Sequence, residues 1–305
     1  MVRALRAHDV VVFTREVIPS EMLPEEDECR VEIVSTELPW PWTVIRPLLR
    51  AKHRVLPAPR GHFDVYIHIR QGPLLTPLLT ATVCGMNPAG GDIGSLIRDI
   101  PTVLSEAPGG ELPDLTGLTH LMLPPPLIKV TSEVVPLDGL PERFLLTVFN
   151  PYEPVKGADI LTRVSASAAL PIIWCFSDRT VQFDQPIASQ PNVVPIYDPS
   201  QALLNSLYAK ASGYVSFSRR EGFGWAVADA LLNGLPVLTR KTGCIHFVQG
   251  QPGVTIYDSE TELRSCLAVD PDNWPGGCPN GYDLSELSPD RFVARLEAWL
   301  ASAQR

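Results

Sequence analysis

Between Gly213 and Thr239 the chain reads GYVSFSRREGFGWAVADALLNGLPVLT, and few folds accommodate that order of residues. Tyr214 to Phe217 are aromatic, β-branched or small, as a buried strand requires. Ser218 to Glu221 form a polar connection. Gly222 and Gly224 then flank Phe223, so the backbone can turn sharply and approach a ligand closely. The Ala- and Leu-rich run Trp225–Leu232 predicts a short helix, ended by Asn233-Gly234, and Pro236–Thr239 opens the next strand. Strand, glycine loop, helix, strand is the repeating unit of a parallel α/β sheet. A glycine loop feeding a helix N-terminus aims free N–H groups at one spot, and that spot favours an anion such as phosphate.

Two carboxylates flank the expected anion site, Glu221 in the loop and Asp229 on the helix, with seven residues between them. Acids beside a phosphate cradle are tolerable when they face neutral hydroxyls, and a carboxylate accepts from a vicinal diol with both oxygens. The residues alone therefore describe a phosphate-plus-polyol site. Two other readings stay open. One is a plain βαβ unit with a solvated loop. The other is a dinucleotide site, since Gly222-Phe-Gly224 followed by Val227 weakly matches GxGxx(G/A). Against the latter, four polar residues separate strand from glycine, and Arg240-Lys241 rather than an acid ends the next strand.

The run Glu221, Gly222-Phe223-Gly224 and a second acid after seven residues resembles the signature of GT-B glycosyltransferases of the retaining, family-4-like type. The resemblance implies α/β architecture with two Rossmann-like domains whose parallel sheets face each other across a cleft. It implies that Glu221 contacts the donor sugar, that the N–H groups of Gly222, Phe223 and Gly224 hold a diphosphate, and that Asp229 holds a ribose. The family carries Glu where Asp229 stands, one methylene longer. Upstream, Phe144–Phe149 reads as the first strand of a second domain, followed by Lys156-Gly157 at a helix start. A lysine there suits phosphate, being a compact cation on a flexible stem. The family usually places Gly-Arg before this Lys-Gly. Here Phe149-Asn150 stands instead, leaving Asn150 as a donor-side residue and Lys156 as the sole expected side-chain cation.

The rest of the chain sets the frame. With 305 residues it is long enough for two domains. No run reaches the ~18 uncharged apolar residues of a membrane span, and no signal peptide is visible. The six cysteines are scattered without a C-x-x-C pair, which fits a reducing cytoplasm. A net charge of −9 disfavours nucleic acid as a partner. Expected domains are 1–140 on the acceptor side, 141–290 for the nucleotide-sugar donor, and a closing helix in 291–305 that crosses back. The stretch Val134–Pro141 is the expected hinge. Relative to the family, a first strand and its glycine loop are missing before the strand at Val10–Phe13. Strand Phe63–Ile69 puts His68 and Arg70 at its C-terminal end, where ligands of open parallel sheets bind. His68 is thus a catalytic candidate on the acceptor side, with a structural histidine as the alternative. Asn87–Asp92 is a loop on the same rim. The basic segment Arg46–Arg60 is at most a peripheral membrane contact, and a solvated helix face is its plainer reading. Asp270-Pro-Asp272 formally matches a metal-binding Asp-x-Asp, but irregular flanks argue against it, and no metal is assigned. The expected reaction moves a sugar from a nucleotide-sugar donor to an acceptor hydroxyl, of glycan or lipid-linked type, with retained configuration. It needs no cofactor beyond the donor substrate. The competing expectation is a GT-B-like nucleotide- or sugar-binding protein without turnover.

Overall fold

Six short, mostly apolar runs lie between Leu145 and Ile256, and in the computed structural model they pair side by side as one parallel sheet. The structure describes residues 11–14, 30–33, 65–69, 82–86, 102–104, 120–129, 133–177 and 189–303. The first six strands are β1 (Val11–Thr14), β2 (Arg30–Ile33), β3 (Val65–Ile69), β4 (Thr82–Met86), β5 (Thr102–Leu104) and β6 (His120–Met122). β1 and β2 pair in parallel, and β3-β4-β5-β6 form a second parallel sheet in sequence order.

The larger sheet comprises β7 (Leu145–Val148), β8 (Ile172–Phe176), β9 (Val193–Tyr197), β10 (Gly213–Val215), β11 (Val237–Thr239) and β12 (Val254–Ile256). Its order is β12-β11-β10-β7-β8-β9, all parallel. Counted within the sheet, the first strand lies beside the fourth, so the chain winds outward in both directions from the β7/β10 junction. That is the doubly wound order, and ligands bind such sheets in the crevice where the winding reverses, beyond the strand C-termini. The helices are α1 (Ala158–Val164), α2 (Gln201–Lys210), α3 (Trp225–Leu232), α4 (Ile245–Val248), α5 (Glu260–Leu267) and α6 (Pro289–Ala303).

Local chemistry explains where these elements start. Ser200 caps α2 by accepting from the Leu203 N–H, and Ser259 and Glu262 close a reciprocal capping box on α5. The start of α3 is different: Gly224 occupies the cap position at φ 82°, and no side chain caps the helix. The core is a continuous layer including Leu145, Ile172, Trp174, Val215 and Leu238. Aromatic rings concentrate at the C-terminal ends of β7, β8 and β10. Trp174 stacks on Phe176 at 4.3 Å, Phe149 lies 5.6 Å from Trp174 and 6.4 Å from Phe217, and the Trp174 indole donates to the Phe149 carbonyl at 3.0 Å. These contacts fix the strand ends from which the adjoining loops depart.

The chain divides into two compact units. One holds Met1–Glu106, Glu111–Pro126 and Leu287–Arg305; the other holds Ala107–Gly110 and Leu127–Glu286. Val134–Pro141 falls inside the second unit, where the Val135 N–H donates to Ser206 of α2 at 2.7 Å, and α6 is grouped with the first. Arg46–Arg60, Arg70 and Asn87–Asp92 lie outside the described residues. Among the described residues no helix is long and apolar enough to cross a membrane.

Candidate functional site

Two loops meet beyond the β7/β10 junction. The first leaves β7 through Asn150, makes a short 3-10 turn at Pro154–Lys156, and turns into α1 at Gly157. The second leaves β10 through Phe217 and carries Glu221 and the glycines into α3. They touch at Gly157, whose φ is 79° and where a Cβ would stand 2.2 Å from the Phe217 carbonyl oxygen. Only a glycine permits that approach. Arg219 stitches the loops further. Its N–H donates to Val155 O at 2.7 Å, its guanidinium to Pro154 O at 2.7 Å, and both terminal nitrogens fork onto Asp159 at 2.9 and 2.6 Å. The hydrogen bond from Arg219 is the first cause holding the Asp159 carboxyl well below the usual carboxylate range, with Arg163 assisting.

This stitching brings Lys156 against Glu221. The Lys156 ammonium donates to both Glu221 oxygens, at 2.8 and 3.0 Å. Only 24% of the lysine side chain and 13% of the glutamate side chain are exposed, so the pair is less screened than a surface ion pair. A third segment supports the glycine loop from below. The Cys244 N–H donates to the Phe223 carbonyl at 2.7 Å, and Gly243 lies so close that a Cβ there would stand 2.4 Å from the same oxygen. Phe223 is buried, while Trp225, with its ring centroid 4.9 Å from that of Phe223, is exposed. The first turn of α3, Trp225 to Val227, precedes the first helical bond, from Ala228 N–H to Gly224 O at 3.0 Å. Its N–H groups form the positive end of the helix dipole.

Asp229 lies one turn into α3, half-buried, and burial pushes its carboxyl up to about 6. No side-chain hydrogen bond or ion pair to this carboxylate is present among the described residues. Burial likewise raises the phenols of Tyr208 and Tyr214, whose rings stack at 6.0 Å, and the Asp229 charge adds to both shifts. His246, in α4, is held below its usual range by burial and then by the charge of Lys241.

The residues expected from the sequence are therefore distributed as follows. Lys156, Glu221, Gly222, Phe223, Gly224 and Asp229 lie on the loops and helix of the β7/β10 junction. Asn150 lies two residues past β7, where its side-chain oxygen accepts from the Ser177 N–H at 2.9 Å and ties together the segments leaving β7 and β8. His68 lies on β3, with its backbone in register with Gly85 of β4; its side chain lies outside the described residues. Arg219 and Asp159 escaped the sequence reading, because their partnership spans sixty positions and follows no motif. Asp270 is engaged by a fork from Arg143, at 2.5 and 2.9 Å, and accepts from the Asp272 N–H. Among the described residues no group of three His, Cys, Asp or Glu side chains is placed to hold a metal ion.

No protein-family model matches the chain, and no curated protein matches it. Solved structures do. HepE from Anabaena, in complex with UDP and glucose, is similar at 13% identity and TM-score 0.61, over 99% of this chain and 94% of that one. Sucrose-phosphate synthase from Thermosynechococcus elongatus is similar at 14% identity and TM-score 0.57, over 99% of this chain and 89% of that one. AviGT4, a glycosyltransferase involved in avilamycin A biosynthesis, is similar at 16% identity and TM-score 0.58, over 91% and 81%. Identities this low speak for architecture alone: the chain has the GT-B fold.

Proposed function

We propose that the protein is a glycosyltransferase that moves a sugar from a nucleotide-sugar donor to an acceptor hydroxyl with retained anomeric configuration, without a cofactor or a divalent metal. The observation that carries this reading is the convergence of one cation, one carboxylate and an uncapped helix N-terminus at the reversal point of a doubly wound sheet. A diphosphate suits the helix end and Lys156. Their positive field would stabilise charge building on the departing diphosphate, which is electrostatic catalysis at a leaving group. In this reading Glu221 orients the donor sugar, and Asp229, behind the diphosphate on α3, accepts from the ribose hydroxyls. Asn150 and His68 complete the assignment, as a donor-side and an acceptor-side residue. Residues 141–290 are the donor domain and 1–140 the acceptor side, with the last helix crossing back. Similarity to HepE, a structure holding UDP and glucose, supports UDP-sugars as the first donors to try.

The test pairs binding with turnover. The protein is titrated with UDP, GDP and ADP, then incubated with the matching sugar nucleotides, and release of nucleoside diphosphate is followed with and without added acceptors. Saturable binding of one diphosphate together with release from its sugar nucleotide is expected. Protection from unfolding by NADP(H) alone would overturn the reading. Binding without release from any donor would assign the fold to a non-catalytic binding role.

A further inference from the structure

We propose that Glu221 and the donor diphosphate are alternative partners for the Lys156 ammonium, so that donor binding swaps one anion for the other and in doing so frees Glu221 for the sugar. This rests on the reading of the site as a nucleotide-sugar site and adds a device to it. An ammonium has three N–H donors, and two of those on Lys156 are committed to the Glu221 carboxylate, at 2.8 and 3.0 Å. A phosphate oxygen drawn to the same nitrogen would stand beside that carboxylate. Two anions at that separation, in a place where both side chains are three-quarters or more buried, repel strongly. The ammonium therefore serves one at a time.

The surroundings confine the exchange to side chains. The backbone at 154–157 is pinned by Arg219 and by the contact of Gly157 with Phe217, and the backbone around Glu221 and Phe223 by Gly243 and Cys244. Neither loop needs to move for the fork to open, because a rotation about the Glu221 side-chain bonds suffices. Such rotations are fast compared with loop or domain motion. The consequence is a coupling. A nucleoside diphosphate must first displace Glu221, and its affinity is lowered by the strength of that pair. A sugar nucleotide recovers the loss when the released carboxylate meets sugar hydroxyls. Occupancy of the diphosphate site and orientation of the catalytic carboxylate thus become one event.

The experiment measures UDP affinity by calorimetry in the wild type, Glu221→Gln, Glu221→Asp, Lys156→Met and the Glu221→Gln/Lys156→Met double variant, with uridine as the ligand lacking phosphates. Glu221→Gln is expected to bind UDP about three- to tenfold more tightly, the reach of a partly buried ion pair, with uridine unchanged. Glu221→Asp, one methylene short of the fork, should shift in the same direction. Lys156→Met should weaken UDP, and in that background Glu221→Gln should bring no gain, since the competition has lost its object. UDP-sugar turnover should fall in Glu221→Gln despite the tighter UDP. Unchanged or weaker UDP binding in Glu221→Gln and Glu221→Asp, alongside the loss in Lys156→Met, would overturn the exchange and leave the nucleotide-sugar reading standing. Failure of UDP, GDP and ADP to bind any of the five proteins would overturn both.

Discussion

Asp229 offers the sharpest test of the site, because its burial has a price that can be measured. A carboxyl lifted from 3.8 to about 6 by desolvation corresponds to about 3 kcal/mol of strain in the ionised native state. The side chain is only half-buried, so solvent screening reduces this to about 1–2 kcal/mol. The sign follows from proton counting. Between about pH 4 and 6 the native carboxyl keeps a proton that the unfolded one has lost, so the native state binds more protons and stability falls as pH rises through that window. Below pH 4 both states are protonated and the penalty vanishes; above pH 6 it is complete. Asp229→Asn removes the charge and keeps the shape. It should raise urea-unfolding stability by about 1–2 kcal/mol at pH 7.5 and by nothing near pH 3.5, with an unchanged denaturant slope. The same variant should lose about tenfold in UDP affinity, since a ribose diol gives up a charged acceptor for a neutral amide. More stability with less binding is what a residue kept strained for its task produces. A stability difference that does not vary between pH 3.5 and 7.5 would refute the desolvation argument. Unaltered UDP affinity in a folded Asp229→Asn protein would remove Asp229 from the ribose.

Two further outcomes follow. Gly157→Ala forces a Cβ to within 2.2 Å of the Phe217 carbonyl at a φ of 79°, and should cost about 2–4 kcal/mol in thermal unfolding. Gly139→Ala, at a φ of 80° with nothing within 4 Å, should cost only the backbone part, about 1–2 kcal/mol; equal losses at the two positions would contradict the close approach of the site's loops. Turnover, once a donor is found, should survive chelation of divalent ions, because Lys156 and the N-terminus of α3 supply the positive field. Activity abolished by chelator and restored by Mg²⁺ or Mn²⁺ would return Asp270 and Asp272 to consideration.

Much of the second unit could be read from the residues alone. β7 falls within the strand expected at Phe144–Phe149, and α3 spans Trp225–Leu232 as expected, because Asn233-Gly234 ends it and a glycine loop begins it. Shorter elements were less legible. β10 stops at Val215 although the apolar run continues to Phe217, whose carbonyl is instead covered by Gly157. β2 has four residues and β5 three, too few to show a period. α5 did carry a signal, Ser259 followed three residues later by Glu262, that reading for apolar stripes passes over.

The sequence by itself determined the chemical inventory of the site: Glu221, the Gly222–Gly224 loop, Asp229 and Lys156-Gly157 all stand out, because backbone freedom and charge at fixed spacings are local properties. It also determined the alternation of strands and helices, since apolar periodicity is written residue by residue. Only the tertiary structure decided which of these residues meet. Strand order is set by how six strands pack into one sheet, and that order puts β7 beside β10, so two loops sixty-five positions apart share one crevice. The Lys156–Glu221 fork, the Arg219 stitch and the buried strain on Asp229 arise there, from distances and desolvation that no linear spacing encodes.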